Sequence, residues 1–221
     1  MGKEMFFILP IMAASAFLVS ASHHPPRASS AKMTPHEQYS SSVGVLGCKI
    51  NTNRVAYWPR PVSCDDICVQ ITYEDREVYL LRIDKSEGAY DISYDAWNYL
   101  GFGKSAIDDP QQGGGIDMEY KTVHPSNCKC LLDDGKLPLS AATSMDYVAS
   151  CVAQPTSWVS QNFLLYNIYD PICKLGIDEL CSLDLATSNQ PTCPSGLGSQ
   201  NELGLNIENI QYGTGKKVTA P

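Results

Sequence analysis

The residues best placed to do chemistry lie between Val78 and Leu100, in the run VYLLRIDKSEGAYDISYDAWNYL. Its alternating start predicts a strand ending at Asp84. A short Gly-containing turn follows, and Asp91-Ile92-Ser93 leads directly into a helix. Backbone N–H groups are free at a helix start, so a carboxylate there can be held ionised or put to use. Asp91 and Asp84 are therefore the catalytic candidates, as carboxylates able to do acid/base work. The plainer reading, which is favoured, is structural: Asp91 caps the helix and Asp84 ties down the turn.

Other groups offer binding rather than bond breaking. Tyr57, Trp58, Tyr90 and Tyr94 could form a platform for sugar rings, although large aromatics serve equally well in a core. Trp97 is expected to pack inward. Asp117 and Glu119 share one strand face, where a solvated surface is preferred over a cation or sugar site. The polar loop Asp108–Gly115, with Asp108, Asp109, Gln111 and Gln112, is long enough to contact a partner protein. Nucleophilic hydrolysis would have to use His124, since His23, His24 and His36 fall in a polar leader and no Gly-x-Ser-x-Gly occurs. Gly113–Gly115 precedes a strand, the reverse of a phosphate-cradling loop.

Bulk composition narrows the setting. Lys3, the apolar run Phe6–Val19 and the small residues Val19-Ser20-Ala21 read as a secretory signal peptide over residues 1–21. The mature chain is expected outside the cell, with no later stretch apolar enough for a bilayer. A net charge of −8 disfavours nucleic acid, anionic membranes and acidic polymers. A neutral polysaccharide or an extracellular protein remains as partner. Nine cysteines in an exported chain imply a disulfide framework. Cys48, Cys64, Cys68, Cys128, Cys151, Cys173, Cys181 and Cys193 are the bridged set, with connectivity open. The odd cysteine belongs to the Cys128/Cys130 pair, since bridging positions i and i+2 would be strained. It could link two copies of the chain. A zinc site at Cys128-x-Cys130 is disfavoured by export, so no metal or other cofactor is expected.

The elements that must position these groups fall into two regions. Residues 22–42, rich in Ser, Pro and His, read as a flexible leader. Strands are predicted at Arg54–Trp58, Ile67–Tyr73, Val78–Ile83 and Ile116–Lys121, with a helix capped by Ser93 over Tyr94–Leu100. After Leu139 the period changes. Met145, Val148, Ala149 and Val152 follow helical spacing, and Trp158–Tyr169 and Ile177–Leu185 are further helix candidates. Residues 136–193 are thus expected as a helical, disulfide-stapled extension, and 194–221 as a flexible tail.

Leu80–Ala96 (LLRIDKSEGAYDISYDA) resembles the central signature of the barwin/expansin/RlpA-like double-psi β-barrels, a strand ending in Asp and then Asp-hydrophobic-Ser opening a helix. Gly114–Val123 resembles the closing strand, with a following Cys at Cys128, and Gly47-Cys48 and Ala56–Trp58 stand where the opening strand would lie. The chain also resembles small cysteine-rich proteins secreted by filamentous fungi. The resemblance implies an α+β protein with a six-stranded double-psi β-barrel over 43–135. It implies that Asp91 is the general acid, in a groove beside Asp84. The expansin-type His-Phe-Asp reads Ala89-Tyr90-Asp91 here, and the opening strand has no acid before Asp65-Asp66. The expected function is consequently that of a secreted, non-enzymatic protein that binds a cell-wall polysaccharide or a host target. The alternatives are an inhibitor of a host protease and a wall-cleaving or wall-loosening enzyme using Asp91.

Overall fold

The computed structural model describes Gly2 and residues 28–221. Apart from Gly2, the signal-peptide segment lies outside the described residues, as do His23 and His24. Six strands close into a barrel: β1 (Ser29–His36), β2 (Val55–Trp58), β3 (Cys68–Tyr73), β4 (Arg76–Lys85), β5 (Tyr90–Ser93) and β6 (Ile116–Thr122). Around the barrel they run β1-β5-β2-β4-β3-β6. The β1/β5 and β2/β4 pairs are parallel and the other four antiparallel. With the helices α1 (Tyr94–Phe102), α2 (Met145–Val152) and α3 (Trp158–Gln161), the protein is α+β.

Period-2 alternation sorts each strand's side chains between two cores. Met33, Ala56, Trp58, Val69, Ile71, Leu80, Ile92 and Met118 point inward and meet one another, so all six strands contribute to the barrel interior. Tyr94, Ala96, Trp97 and Leu100 of α1 close the same cluster. The opposite faces carry Val55, Tyr57, Cys68, Leu81 and Ile83. They pack against Leu137, Leu139, Val148, Val159 and Leu165 of the C-terminal region.

Three expectations change. The leader holds β1, which pairs with both β5 and β6 and closes the barrel. The C-terminal region is not mainly helical. It is built on a sheet of β7 (Leu137–Ser140), β8 (Phe163–Ile168) and β9 (Gly176–Cys181), so the helix expected over Trp158–Tyr169 stops at Gln161. A short apolar run does not by itself distinguish a buried strand from a helix, and pairing to β7 decides it. Ile177, Leu180 and Cys181 do have helical spacing, but in β9 Leu180 stands 52% exposed. The tail, thirdly, forms the hairpin β10 (Glu208–Ile210) and β11 (Lys217–Thr219) against the barrel.

Four disulfides staple this arrangement: Cys48–Cys173, Cys64–Cys151, Cys68–Cys128 and Cys181–Cys193. Cys130 keeps an exposed free thiol. Two bridges, spanning 125 and 87 residues, tie the C-terminal region to the barrel, whereas Cys181–Cys193 closes only a 12-residue loop. Loop-closure entropy assigns about 5 kcal/mol to the 125-residue bridge and about 3 kcal/mol to the 12-residue one. The Cys48→Ala/Cys173→Ala variant is therefore expected to lose clearly more stability in urea unfolding than Cys181→Ala/Cys193→Ala. Equal losses would contradict this ordering.

Candidate functional site

Asp84, Tyr57 and Asp91 occupy one row of the barrel. Tyr57 on β2 is the register partner of Asp84 on β4 and of Asp91 on β5. Asp91 is in turn level with Thr34 on β1, and the Thr34 hydroxyl donates to the Asp91 carboxylate. His36 lies two residues further along the same face of β1. Its ring centroid is 4.4 Å from that of Tyr57. The structure thus places a histidine over Tyr57, the register partner of Asp91, from a strand far away in sequence.

The two acids are used differently. Asp84 is 9% exposed and accepts from the Ser40 hydroxyl at 2.6 Å, the Ser42 N–H at 2.9 Å and the Lys85 N–H at 2.7 Å. Its oxygens fasten the segment after β1 to the end of β4. Asp91 is half-buried and is held by the Thr34 hydroxyl rather than by helix N–H groups. Ser93 stands at the N-cap but donates to the Asn53 carbonyl at 2.6 Å instead of capping α1. Neither residue does the capping expected of it.

An open groove of about 720 Å³ runs beside Thr34. Its walls are Thr34–Gln38 on one side and Gly113, Gly114, Gln211 and Tyr212 on the other. The cause is in the strand register. β6 pairs with β1 only from Ser29 to Met33, ending at Met33 opposite Ile116, and then diverges. From Thr34 on, one edge of β1 is unpaired, so Pro35 costs no ladder hydrogen bond there. Gly115 allows the close approach just before the gap. A Cβ at that position would lie 2.3 Å from the Lys32 side chain. A smaller groove of about 380 Å³, between Gly47-Cys48 and Leu205–Ile210, lies away from Asp91.

The expected aromatic platform is mostly core. Trp58 is fully buried, Tyr94 is 2% exposed and Tyr57 4%. None of the three is free to present a ring face to solvent: Trp58 fills the barrel interior, Tyr94 of α1 closes that cluster, and Tyr57 packs on the outer face in the C-terminal core. Tyr90 is half-buried at the barrel end, with its ring 5.2 Å from Trp58 and 5.6 Å from Tyr120. Trp97, on α1, is buried, as expected. The exposed Asp117 and Glu119 share a small acidic hollow with Glu74.

The Asp108–Gly115 loop does not project. Asn98 donates to the carbonyls of Lys104 and Asp109 and accepts from the Gln111 N–H at 2.8 Å. Tyr94 donates to the Gln111 carbonyl at 2.6 Å. Asp95, paired with Arg54 at 2.8 Å, accepts from the Ser105 hydroxyl and the Ala106 N–H. Asp108 and Gln112 are exposed, but the backbone that carries them is bolted to α1. His124 lies on the surface, where its ring accepts from the Ser126 N–H.

Sequence reasoning missed His36, Gln38, Gln211 and Tyr212. A signal for the first two existed: Ala31, Met33 and Pro35 alternate with Lys32, Thr34 and His36, the period of a strand.

Two measurements check this division of labour. Asp84→Ala strands three donors and is expected to cost about 2–4 kcal/mol in chemical unfolding, against under about 1.5 kcal/mol for Asp91→Ala. A larger loss at Asp91 would reverse the assignment. The second concerns alkali. Burial raises the hydroxyls of Tyr39, Tyr57 and Tyr147 well above the ordinary value of 10.0. The Asp84 charge adds to this at Tyr39 and Tyr57. Above pH 10 the unfolded chain loses these protons while the native chain keeps them, so stability falls as pH rises. Each such tyrosine contributes a slope of about 1.4 kcal/mol per pH unit, and Tyr57→Phe should flatten the decline. A profile unchanged by Tyr57→Phe would show that Tyr57 does not carry it.

Comparison with known proteins places these observations. The Cerato-platanin family model matches residues 33–130, which takes in the barrel from Met33 on β1 through β6 and on to Cys130. No curated protein matches the chain. Among solved structures, that of cerato-platanin 3 from M. perniciosa is similar over 46% of this chain and 99% of its own, at 14% identity and a TM-score of 0.34. Over its barrel, the chain is similar to the cerato-platanins.

Proposed function

We propose that this chain is a secreted, non-enzymatic protein that binds a neutral cell-wall polysaccharide in the groove beside Thr34. The observation that carries the reading is the chemistry of the groove walls. Thr34, Gln38 and Gln211 offer hydroxyl and amide groups that both donate and accept, while His36 and Tyr212 offer rings. That combination suits sugar hydroxyls and the apolar faces of pyranose rings. Glu37 on the same wall, in a chain of net charge −8, opposes an acidic polymer. Export is supported by the signal-peptide pattern and by four disulfides, which persist in oxidising compartments. The expansin-like signature around Asp91 and the cerato-platanin match over the barrel support a place in the double-psi superfamily and a role at a cell wall. The fastened Asp108–Gly115 loop gives no support to insertion into a protease cleft.

The experiment is co-sedimentation with insoluble chitin, cellulose and β-glucan. The protein is expected to be retained on at least one of them. Gln38→Ala/Gln211→Ala should weaken retention about tenfold, the effect of one or two lost hydrogen bonds. Asp91→Asn should bind as the native protein does. No retention on any of the three polymers would remove the proposal. Release of reducing sugar that Asp91→Asn abolishes would replace it with the enzymatic alternative.

A further inference from the structure

The far wall of the groove is made only in part by the barrel's own loop, through Gly113 and Gly114. Gln211 and Tyr212 belong to the C-terminal segment, outside the residues 33–130 that match the family. That segment is fixed to the barrel at four places. Ile210 is 4% exposed and joins the barrel-interior cluster. The Asn209 side chain accepts from the Tyr39 N–H at 3.0 Å. The Tyr212 N–H donates to the Glu37 carboxylate at 2.5 Å, and the Gly213 N–H donates to the Tyr94 hydroxyl at 3.1 Å. At the rim, the Tyr212 hydroxyl accepts from the Gly113 N–H at 2.6 Å and donates to the Gly113 carbonyl at 2.8 Å. One phenol thereby brackets the backbone of the neighbouring loop, and Tyr212 is tied to both walls of the groove, through Gly113 on its own side and Glu37 on the other.

The local backbone is suited to this seating. Gly213 has φ +71°, and a Cβ there would meet the Gln112 side chain at 2.2 Å. At Gly215, φ is +68° and a Cβ would meet the Ala106 carbonyl at 2.3 Å. Both turns require glycine, and both press the segment onto the loop that bears Gly113. Trp58, Tyr57 and Tyr94 are buried, so Tyr212 and His36 are the groove's aromatic rings.

We infer that Tyr212 is the ligand-contacting residue that sets which neutral polysaccharide the groove accepts, its ring taking a sugar face and its hydroxyl holding the groove width. The inference rests on the polysaccharide reading above. A segment outside the barrel's family match then decides selectivity, and chains sharing the barrel without it would select differently.

The test is isothermal titration of the full chain with chitohexaose, cellohexaose and laminarihexaose. The native protein should bind at least one. Tyr212→Ala should lose tenfold or more for that oligomer while its thermal midpoint moves by only a few degrees. Tyr212→Phe keeps the ring and loses the bracket, so it should lose two- to fivefold and speed amide exchange at Gly113. Should Tyr212→Ala not fold, Tyr212→Leu fills the volume without an aromatic face and should show the same tenfold loss. Native binding with Tyr212→Ala or Tyr212→Leu within twofold of it overturns this inference alone. Native protein that binds none of the three overturns the polysaccharide reading and this inference with it.

Discussion

The constraint on which the rest depends is the insertion of β1 between β5 and β6. A sheet of six short strands leaves two edges exposed unless it closes, and β1 supplies the closure by pairing in parallel with β5 and antiparallel with β6. The two pairings end at different points. The β6 ladder stops at Met33, whereas the β5 ladder continues to His36. That difference opens the groove, directs Thr34 to Asp91 and presents His36 over Tyr57. Closure and site are two consequences of one register.

A second layer of order comes from buried polar residues that each serve several partners. Asp84 holds the chain leaving β1, Asp95 holds the start of the long loop and Asn98 holds its middle. Each carries its hydrogen bonds in a shielded place, where an unmet partner would cost far more than on the surface. The groove needs both ends of this arrangement. Its near wall runs into the segment that Asp84 anchors, and its far wall combines the loop that Asn98 anchors with Gln211 and Tyr212 of the C-terminal segment. The disulfides act at longer range: Cys48–Cys173 and Cys64–Cys151 join segments flanking β2 to the β8–β9 connection and to α2 of the C-terminal region.

The barrel strands from β2 to β6 were largely legible because each alternates cleanly or ends at a marked turn. The exceptions have physical causes. β1 is Ser- and Pro-rich with one large inward residue, Met33, so its pattern is faint although its pairing is complete. β5 is four residues long and hides in the approach to α1. Leu164 and Leu165 of β8 read as helix because parallel pairing buries successive residues and blurs the alternation. The groove was not legible, because Thr34 and His36 on one strand and Tyr212 near the C-terminus meet by pairing that no local pattern encodes.

The same geometry argues for recognition over catalysis. Glycoside cleavage needs two carboxylates with separate tasks, and Asp84 is committed to three donors. Asp91 accepts from the Thr34 hydroxyl and is not among the residues that line the groove. Sugar binding asks for much less: a fixed wall, rings and neutral groups able to donate and accept. An open groove bracketed at its rim by Tyr212 provides these, and it admits a polymer along its length without a lid that must close.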